Sequence, residues 1–117
     1  MQTEITLDID MPYDEYASSV LCERLIYFAQ NNILVKNKIS LFKRKSSRGN
    51  THVKLIISDN ISDLKIYQIR AYLGDDVHRL RLDLIRDFEK REINRLWDSK
   101  YYKNSLYEAG NWELVTV

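Results

Sequence analysis

The hydrophobic periodicity of this chain changes several times along its length, and these changes predict the order of its helices and strands. Over residues 3–9, apolar and polar side chains alternate, and a period of two is typical of a β-strand. Pro12 then suits the first turn of a helix. The apolar side chains that follow recur at helical spacing and are Ala17, Val20, Leu21, Leu25 and Phe28. The first unit is therefore predicted to be a strand followed by an amphipathic helix.

The middle of the chain predicts a β-hairpin. Residues 33–44 favour a strand with a kink near Asn37, and residues 51–58 favour a second strand. Between them lies a run of small, turn-prone and basic residues, 45–50, which is typical of a hairpin loop.

Two helices are predicted in the second half. The first is a short helix that Ser62 or Asp63 can cap and that runs through about Leu73, where Gly74 is a good C-cap. A longer helix follows from Asp75 or Asp76, and its predicted apolar stripe consists of Val77, Leu80, Leu84, Ile85 and Phe88. Residues 93–97 fit either a continuation of this helix or a strand.

The predicted order, which ends with a short strand over residues 112–117, is β-α-β-β-α-α-β. The economical fold for this order is α+β: a two-layer sandwich with helices on one face of a mostly antiparallel sheet, close to the ferredoxin-like or RNA-recognition-motif plan. With 117 residues, 44% of them hydrophobic, the chain is expected to form one domain, 1–117. Residues 1–58 form its strand, helix and hairpin, and residues 59–117 its helical half.

Composition also excludes several classes of protein. Apolar runs are only a few residues long and the chain begins Met1-Gln2-Thr3-Glu4, so neither a membrane span nor a signal peptide is expected. We therefore expect an intracellular, cytoplasmic protein with no membrane partner; short chains of this composition are often encoded by viruses or plasmids. Cys22 lies among apolar neighbours and is expected to be an ordinary buried thiol.

The net charge of +1 hides a strong local polarisation. Residues 1–35 contain six acidic side chains and one basic, whereas residues 36–54 contain seven basic and none acidic. Residues 55–117 nearly balance, with ten basic and eleven acidic. The basic block is a candidate phosphate-binding surface, although solvated strand edges are also often rich in lysine.

Two aspartates lie at the end of the first predicted strand. Asp8 and Asp10 are two positions apart, so both carboxylates project from one face of the strand. Mg²⁺ is commonly bound by one or two carboxylates together with substrate phosphates, and the pair is therefore a candidate site for Mg²⁺ or Mn²⁺. The alternative is a solvated strand end beside a helix N-terminus.

The basic loop leads directly into a strand that carries a histidine, His52. Lysine and arginine supply charge for a bound phosphate, while hydroxyls and turn amides supply directed hydrogen bonds. The candidate nucleotide-binding or phosphate-binding residues are Lys43, Lys45, Ser46, Ser47, Arg48 and His52. A single histidine beside a turn is also commonly structural, so both interpretations of His52 stay open.

Taken together, the two features resemble the archaeo-eukaryotic primase superfamily, and most closely the polymerase domains attached to bacterial end-joining ligases. The resemblance covers about residues 5–57, from Leu7-Asp8-Ile9-Asp10 to the run from Lys45 to Val53. It implies that Asp8 and Asp10 are catalytic and ligate two divalent cations, Mg²⁺ or Mn²⁺, which activate a primer hydroxyl and bind a nucleoside triphosphate. It also implies that Ser46 and His52 contact the phosphates, His52 being the third catalytic candidate.

The same resemblance implies a third acidic ligand later in the chain. The textual candidates are Asp83, within Leu82-Asp83-Leu84, and Asp98, after Trp97. The apolar spacing around Asp83 is helical, which would place this carboxylate on a polar helix face.

These features favour a small nucleic-acid-processing domain that resembles a minimal primase-polymerase core, with a role in DNA replication and metal-dependent nucleotidyl transfer if it is active. Catalytic members of that superfamily are longer, so a reduced or inactive relative is one alternative. Another is a non-catalytic nucleic-acid-binding protein of the same fold. The third is a homodimeric interaction protein without a nucleic-acid role, in which the mixed-charge helix pairs with a second copy.

Overall fold

The computed structural model describes residues 2–30, 39–58, 60–88, 99–102 and 105–115. Its strands are β1 (Thr3–Pro12), β2 (Ile39–Lys45), β3 (Asn50–Ile57), β4 (Ser99–Tyr102), β5 (Ser105–Glu108) and β6 (Glu113–Leu114). Its helices are α1 (Tyr13–Glu15), α2 (Leu21–Gln30), α3 (Asp63–Leu73) and α4 (Val77–Phe88), and a π-helical segment, Tyr16–Val20, joins the first two. The first half of the predicted second strand, residues 33–38, lies outside the described residues.

Four strands form one antiparallel sheet in the order β1-β3-β2-β6, and β4 and β5 form a separate antiparallel pair. The predicted α+β class and antiparallel sheet are confirmed. β6 lies beside β2, at the edge farthest from β1, whereas the ferredoxin-like plan places the last strand beside the first. The β4–β5 hairpin was not predicted. None of the described helices is long and apolar enough to span a bilayer.

The alternation predicted for β1 is confirmed, and it determines which face of the sheet is buried. Ile5, Leu7 and Ile9 lie in the core with the apolar side chains of β3. The helices pack on this face through Tyr16, Leu21, Phe28, Ile66, Ile69 and Leu73. The opposite face of β1 therefore carries Thr6 and Asp8 away from the core.

Helix α3 begins and ends as predicted. The Ser62 hydroxyl accepts a hydrogen bond from the Lys65 amide at 3.3 Å, and Gly74 has φ = 92° in the left-handed region. A side chain at Gly74 would be strained in that conformation, which glycine adopts freely. The turn at Gly74 brings the start of α4 back towards β1.

The apolar stripe predicted for α4 is wrong for three of its members. Val77, Leu84 and Ile85 have half or more of their surface exposed, while Asp83, expected on a solvated polar face, is only 1% exposed. The helix is rotated so that its charged side chains, rather than this stripe, face the rest of the protein. The side chain of Phe88 lies outside the described residues, and Cys22 is partly buried rather than fully so.

Candidate functional site

A cleft of about 470 Å³ lies where β1 and β3 face the β2–β3 loop and α4. It brings together six residues that the sequence predicts as functional: Asp8, Asp10, Ser46, Ser47, Arg48 and His52. The proposed third acidic residue, Asp83, also lines it, from the α4 side. Lys43 and Lys45 are not among the lining residues; the Lys43 ammonium lies 4.9 Å from the centre of the Tyr13 ring instead. Asp98 lies outside the described residues.

Asp8 and His52 are paired across the β1–β3 ladder, so their side chains share one face of the sheet. The distance between His52 Nε2 and Asp8 Oδ1 is 3.7 Å, which is an ion-pair distance rather than a hydrogen bond. His52 is nearly buried, whereas the side chain of Asp8 is 41% exposed. The carboxylate therefore reaches into the cleft while the imidazole forms part of its floor.

Asp10 occupies an irregular part of the same strand. The β1–β3 register shifts between Ile9 and Pro12, and a bulge of this kind redirects side chains locally. Asn50 donates a hydrogen bond from its side-chain amide to Asp10 Oδ1 at 3.2 Å. The second aspartate is thereby held beside the first residue of β3, on the loop side of the cleft.

The β2–β3 loop is organised around Ser46. Its buried hydroxyl accepts hydrogen bonds from the backbone amides of Arg48 (3.3 Å) and Asn50 (3.0 Å), and its carbonyl accepts one from Gly49. These amides, which the sequence suggested as phosphate donors, are thus engaged within the loop. Ser47 is half-buried and Arg48 exposed, so their side chains offer the hydroxyl and the charge on this side of the cleft.

The opposite wall comes from α4 and was missed by sequence reasoning. Arg79 and Arg86, which were not among the predicted site residues, both line the cleft, as does His78. Together with Asp83, the two arginines occupy positions i, i+4 and i+7 of one helical face. That spacing is the signal that could have identified a charged stripe facing inward.

Asp75 connects β1 to the α4 wall. Its buried carboxylate accepts a hydrogen bond from the backbone amide of Asp8 at 2.7 Å. It also accepts hydrogen bonds from Arg70 Nε at 2.6 Å and from Arg79 Nη1 at 2.8 Å. Arg70 is completely buried, and such a charge is tolerated only when it is paired and hydrogen-bonded. We call Arg70, Asp75, Arg79 and Asp83 the buried ion network.

Further contacts attach β1 to the start of α4. The amide of Asp76 donates to the carbonyl of Asp8 at 2.8 Å, and Arg79 Nη1 donates to the carbonyl of Thr6 at 2.9 Å. β1 is an edge strand, so these groups occupy backbone positions that would otherwise be open to another chain. The backbone of Asp8 is consequently held through both its amide and its carbonyl by residues at the start of α4.

Asp83 has its own cationic partners. Its Oδ2 lies 2.8 Å from Arg70 Nη1 and its Oδ1 lies 3.8 Å from Arg86 Nη1. Within the described part of the chain, no group of three or more His, Cys, Asp or Glu side chains is arranged to hold a metal ion. Asp8 and Asp10 are two carboxylates, and Mg²⁺ is commonly bound by one or two carboxylates together with substrate phosphates.

The environment of Asp8 disfavours its charged form. Burial raises the pKa of Asp8, and the neighbouring carboxylates of Asp75, Asp76 and Asp10 raise it further, while Arg79 acts in the opposite direction. A carboxylate in this position is stabilised by any cation that enters the cleft.

Replacing Asp8 with asparagine is expected to stabilise the protein near pH 7. Because the folded state holds the Asp8 proton more tightly than the unfolded chain, its stability falls as the pH rises above the ordinary pKa of 3.8. The substitution removes that loss, so Tm should increase at pH 7, and the gain should vanish below about pH 3.8. Thermal unfolding followed by circular dichroism at both pH values measures it.

Asp10→Asn is the matched control, since Asp10 is exposed and asparagine keeps the oxygen that accepts from Asn50. Its Tm at pH 7 should change little, as is usual for surface substitutions. An Asp8→Asn variant that is less stable than the natural protein at pH 7 would contradict the interpretation of Asp8 as electrostatically unfavourable.

The fold and the cleft define an α+β protein in which acidic, basic and imidazole side chains line one open depression. Comparison with protein-family models, curated proteins and solved structures gave no match to this chain. Its function is therefore argued from the chemistry of the cleft.

Proposed function

We propose that this chain is a small nucleic-acid-processing domain, resembling a minimal primase-polymerase core, that binds a nucleoside triphosphate together with Mg²⁺ or Mn²⁺. The observation that carries this proposal is the convergence of Asp8, Asp10 and His52 with the Ser47 and Arg48 side chains in one cleft. An enzyme of that kind requires carboxylates, an imidazole and a basic loop to face a common space. Had His52 lain on the core face of the sheet, the proposal would have no basis.

Each residue has a role that follows from its position. Asp8 and Asp10 hold the divalent cation, which, when bound, neutralises phosphate charge and activates an attacking hydroxyl. Arg48 and Ser47 bind phosphate oxygens from the loop side. Ser46, whose hydroxyl is occupied by loop amides, acts by shaping the loop. In-line nucleotidyl transfer needs little more from the protein than positioning and charge neutralisation.

A non-catalytic nucleic-acid-binding protein of the same fold is the second candidate. It is favoured by the state of Asp83, whose charge is balanced by Arg70 and Arg86 instead of being available to a metal ion. A homodimeric interaction protein is the third candidate, and the exposed apolar residues Val77, Leu84 and Ile85 on α4 favour it.

Titration calorimetry with ATP, with and without Mn²⁺, tests the leading proposal. Binding should depend on Mn²⁺, and Asp8→Asn should weaken it by roughly tenfold to a hundredfold, the effect of losing one charge-assisted interaction. Arg81→Gln is the matched control, because Arg81 is an exposed residue of α4 that does not line the cleft. Its affinity should match that of the natural protein.

The same preparation should be titrated with single-stranded DNA at two salt concentrations. Salt-sensitive DNA binding that is unaffected by Asp8→Asn, without Mn²⁺-dependent ATP binding, would replace the enzyme with the non-catalytic binding protein. Absence of both, together with concentration-dependent dimerisation, would favour the interaction protein.

A further inference from the structure

Arg44 makes a contact that the proposed function does not use. It is paired with His52 across the β2–β3 ladder, on the side of β3 opposite to Asp8, and its Nε donates a hydrogen bond to His52 Nδ1 at 3.0 Å. Both residues are 5% exposed. The Trp112 ring covers the guanidinium, with 4.4 Å from the Arg44 Cζ atom to the ring centre. A buried arginine is therefore held against one specific nitrogen of the histidine.

The polarity of this hydrogen bond determines where the imidazole proton lies. A guanidinium group has five donors and no acceptor, so Nδ1 of His52 can only accept and must be unprotonated. The proton of the neutral ring is then on Nε2, the nitrogen 3.7 Å from Asp8 Oδ1. His52 thus presents an N–H donor, and no basic lone pair, on the Asp8 side of the cleft.

We propose that Arg44 is a positioning residue that fixes His52 as a hydrogen-bond donor to an anionic phosphate oxygen in the cleft. The inference rests on the proposed function for the identity of the ligand, but the placement of the proton rests on geometry alone. It also distinguishes a phosphate donor from a general base, because a general base would need an unprotonated nitrogen facing the substrate. His52 therefore binds phosphate and does not accept the proton of an attacking hydroxyl.

His52 lies between Arg44 on β2 and Asp8 on β1, so the nitrogen that faces Asp8 is the one that carries the proton. Asp8 and Asp10 would hold the cation, and a triphosphate bound together with it would present anionic oxygens in the same part of the cleft. An N–H donor beside Asp8 then bonds to the phosphate, whereas a lone pair there would repel it. The buried guanidinium does not reach the ligand and acts only through the imidazole.

The first measurement is the tautomer of His52 in the natural protein. Long-range ¹H–¹⁵N correlation spectra at neutral pH distinguish a protonated imidazole nitrogen from an unprotonated one, and His52→Gln assigns the signals. The expected result is a proton on Nε2 only. A proton on Nδ1, alone or in an imidazolium, would overturn the inference whatever the protein binds.

Substitutions of Arg44 supply the second measurement. Arg44→Met removes the donor to His52 Nδ1. The imidazole proton should then no longer be confined to Nε2, and Mg²⁺-dependent binding of inorganic tripolyphosphate should weaken by about tenfold. Arg44→Lys retains a donor-only cation and should preserve both properties, so it keeps the test valid if the methionine variant does not fold. Lys54→Met is the matched control for the tautomer, because Lys54 contacts the same Trp112 ring at 4.4 Å.

The outcomes separate this inference from the function on which it rests. If the natural protein has the Nε2 proton but binds neither ATP nor tripolyphosphate, the proposed function fails and the placement of the proton stands. If tripolyphosphate binds and Arg44→Met changes neither the tautomer nor the affinity, Arg44 is not a positioning residue. Loss of the tautomer preference in Lys54→Met would assign the effect to Trp112 packing and would equally overturn the role of Arg44.

Discussion

Replacing Asp75 with alanine is expected to reduce the free energy of unfolding by about 3–5 kcal/mol, the usual consequence of removing one partner from a buried ion pair. Asp75 is buried and accepts hydrogen bonds from Arg70, Arg79 and the amide of Asp8. Its removal leaves part of a buried guanidinium uncompensated and leaves the Asp8 amide without its acceptor. A loss of this size is a large fraction of the about 5–15 kcal/mol that typically separates the folded from the unfolded state.

The neighbouring residue is the matched control. Asp76 is also an aspartate before α4, and its side chain accepts from the amides of His78 (2.7 Å) and Arg79 (3.2 Å) as a helix N-cap. Asp76→Ala should therefore destabilise by only about 1 kcal/mol, as caps usually do. Urea unfolding of both variants measures the difference, and equal losses would show that the buried ion network does not have the energetic role assigned to it.

The second large effect is expected at Arg70. Arg70→Leu removes the guanidinium that pairs with Asp75 at 2.6 Å and with Asp83 at 2.8 Å, so two buried carboxylates lose a counter-charge. We expect a loss of about 3–5 kcal/mol, because an unpaired buried charge is more unfavourable than a missing pair.

A double-mutant cycle with Asp83→Leu isolates the pair. In the double variant, Asp75 keeps Arg79 as a partner and the site of the Arg70–Asp83 contact becomes apolar. The loss of stability in the double variant should be smaller than the sum of the two single losses by about 1–3 kcal/mol, which lies within the range of coupling for residues in contact. Strictly additive losses, measured by urea unfolding of all four proteins, would be incompatible with a direct Arg70–Asp83 interaction.

The sequence was sufficient for the part of the fold that is governed by local pattern. The period of two in β1 determined that Asp8 and Asp10 lie away from the core, and the N-cap Ser62 and the C-cap Gly74 located α3. The expectation that Asp8 and His52 share one site came from the resemblance of that strand and loop to the primase superfamily, not from local spacing. Local spacing alone does not specify which strand pairs with β1.

The rotation of α4 could not be predicted, because this helix has two candidate inner faces. Apolar periodicity favours the face with Val77 and Leu84, while the buried face carries Asp83. Which face is buried depends on Arg70, which lies on α3, thirteen positions before Asp83. The buried charge of Arg70 requires a carboxylate partner. Pattern reasoning assumes that charges are solvated, so it does not anticipate a network in which Arg70, Asp75 and Asp83 are buried.

The attachment of β1 to the start of α4 has a consequence for binding. Since Asp75, Asp76 and Arg79 contact the backbone of β1 directly, β1 and the α4 wall of the cleft are joined before any ligand arrives. The conformational entropy of bringing them together is lost when the chain folds. Binding a ligand therefore does not carry this entropic cost. The cleft is in this sense preorganised, and a ligand that fits it needs no closing motion to be held.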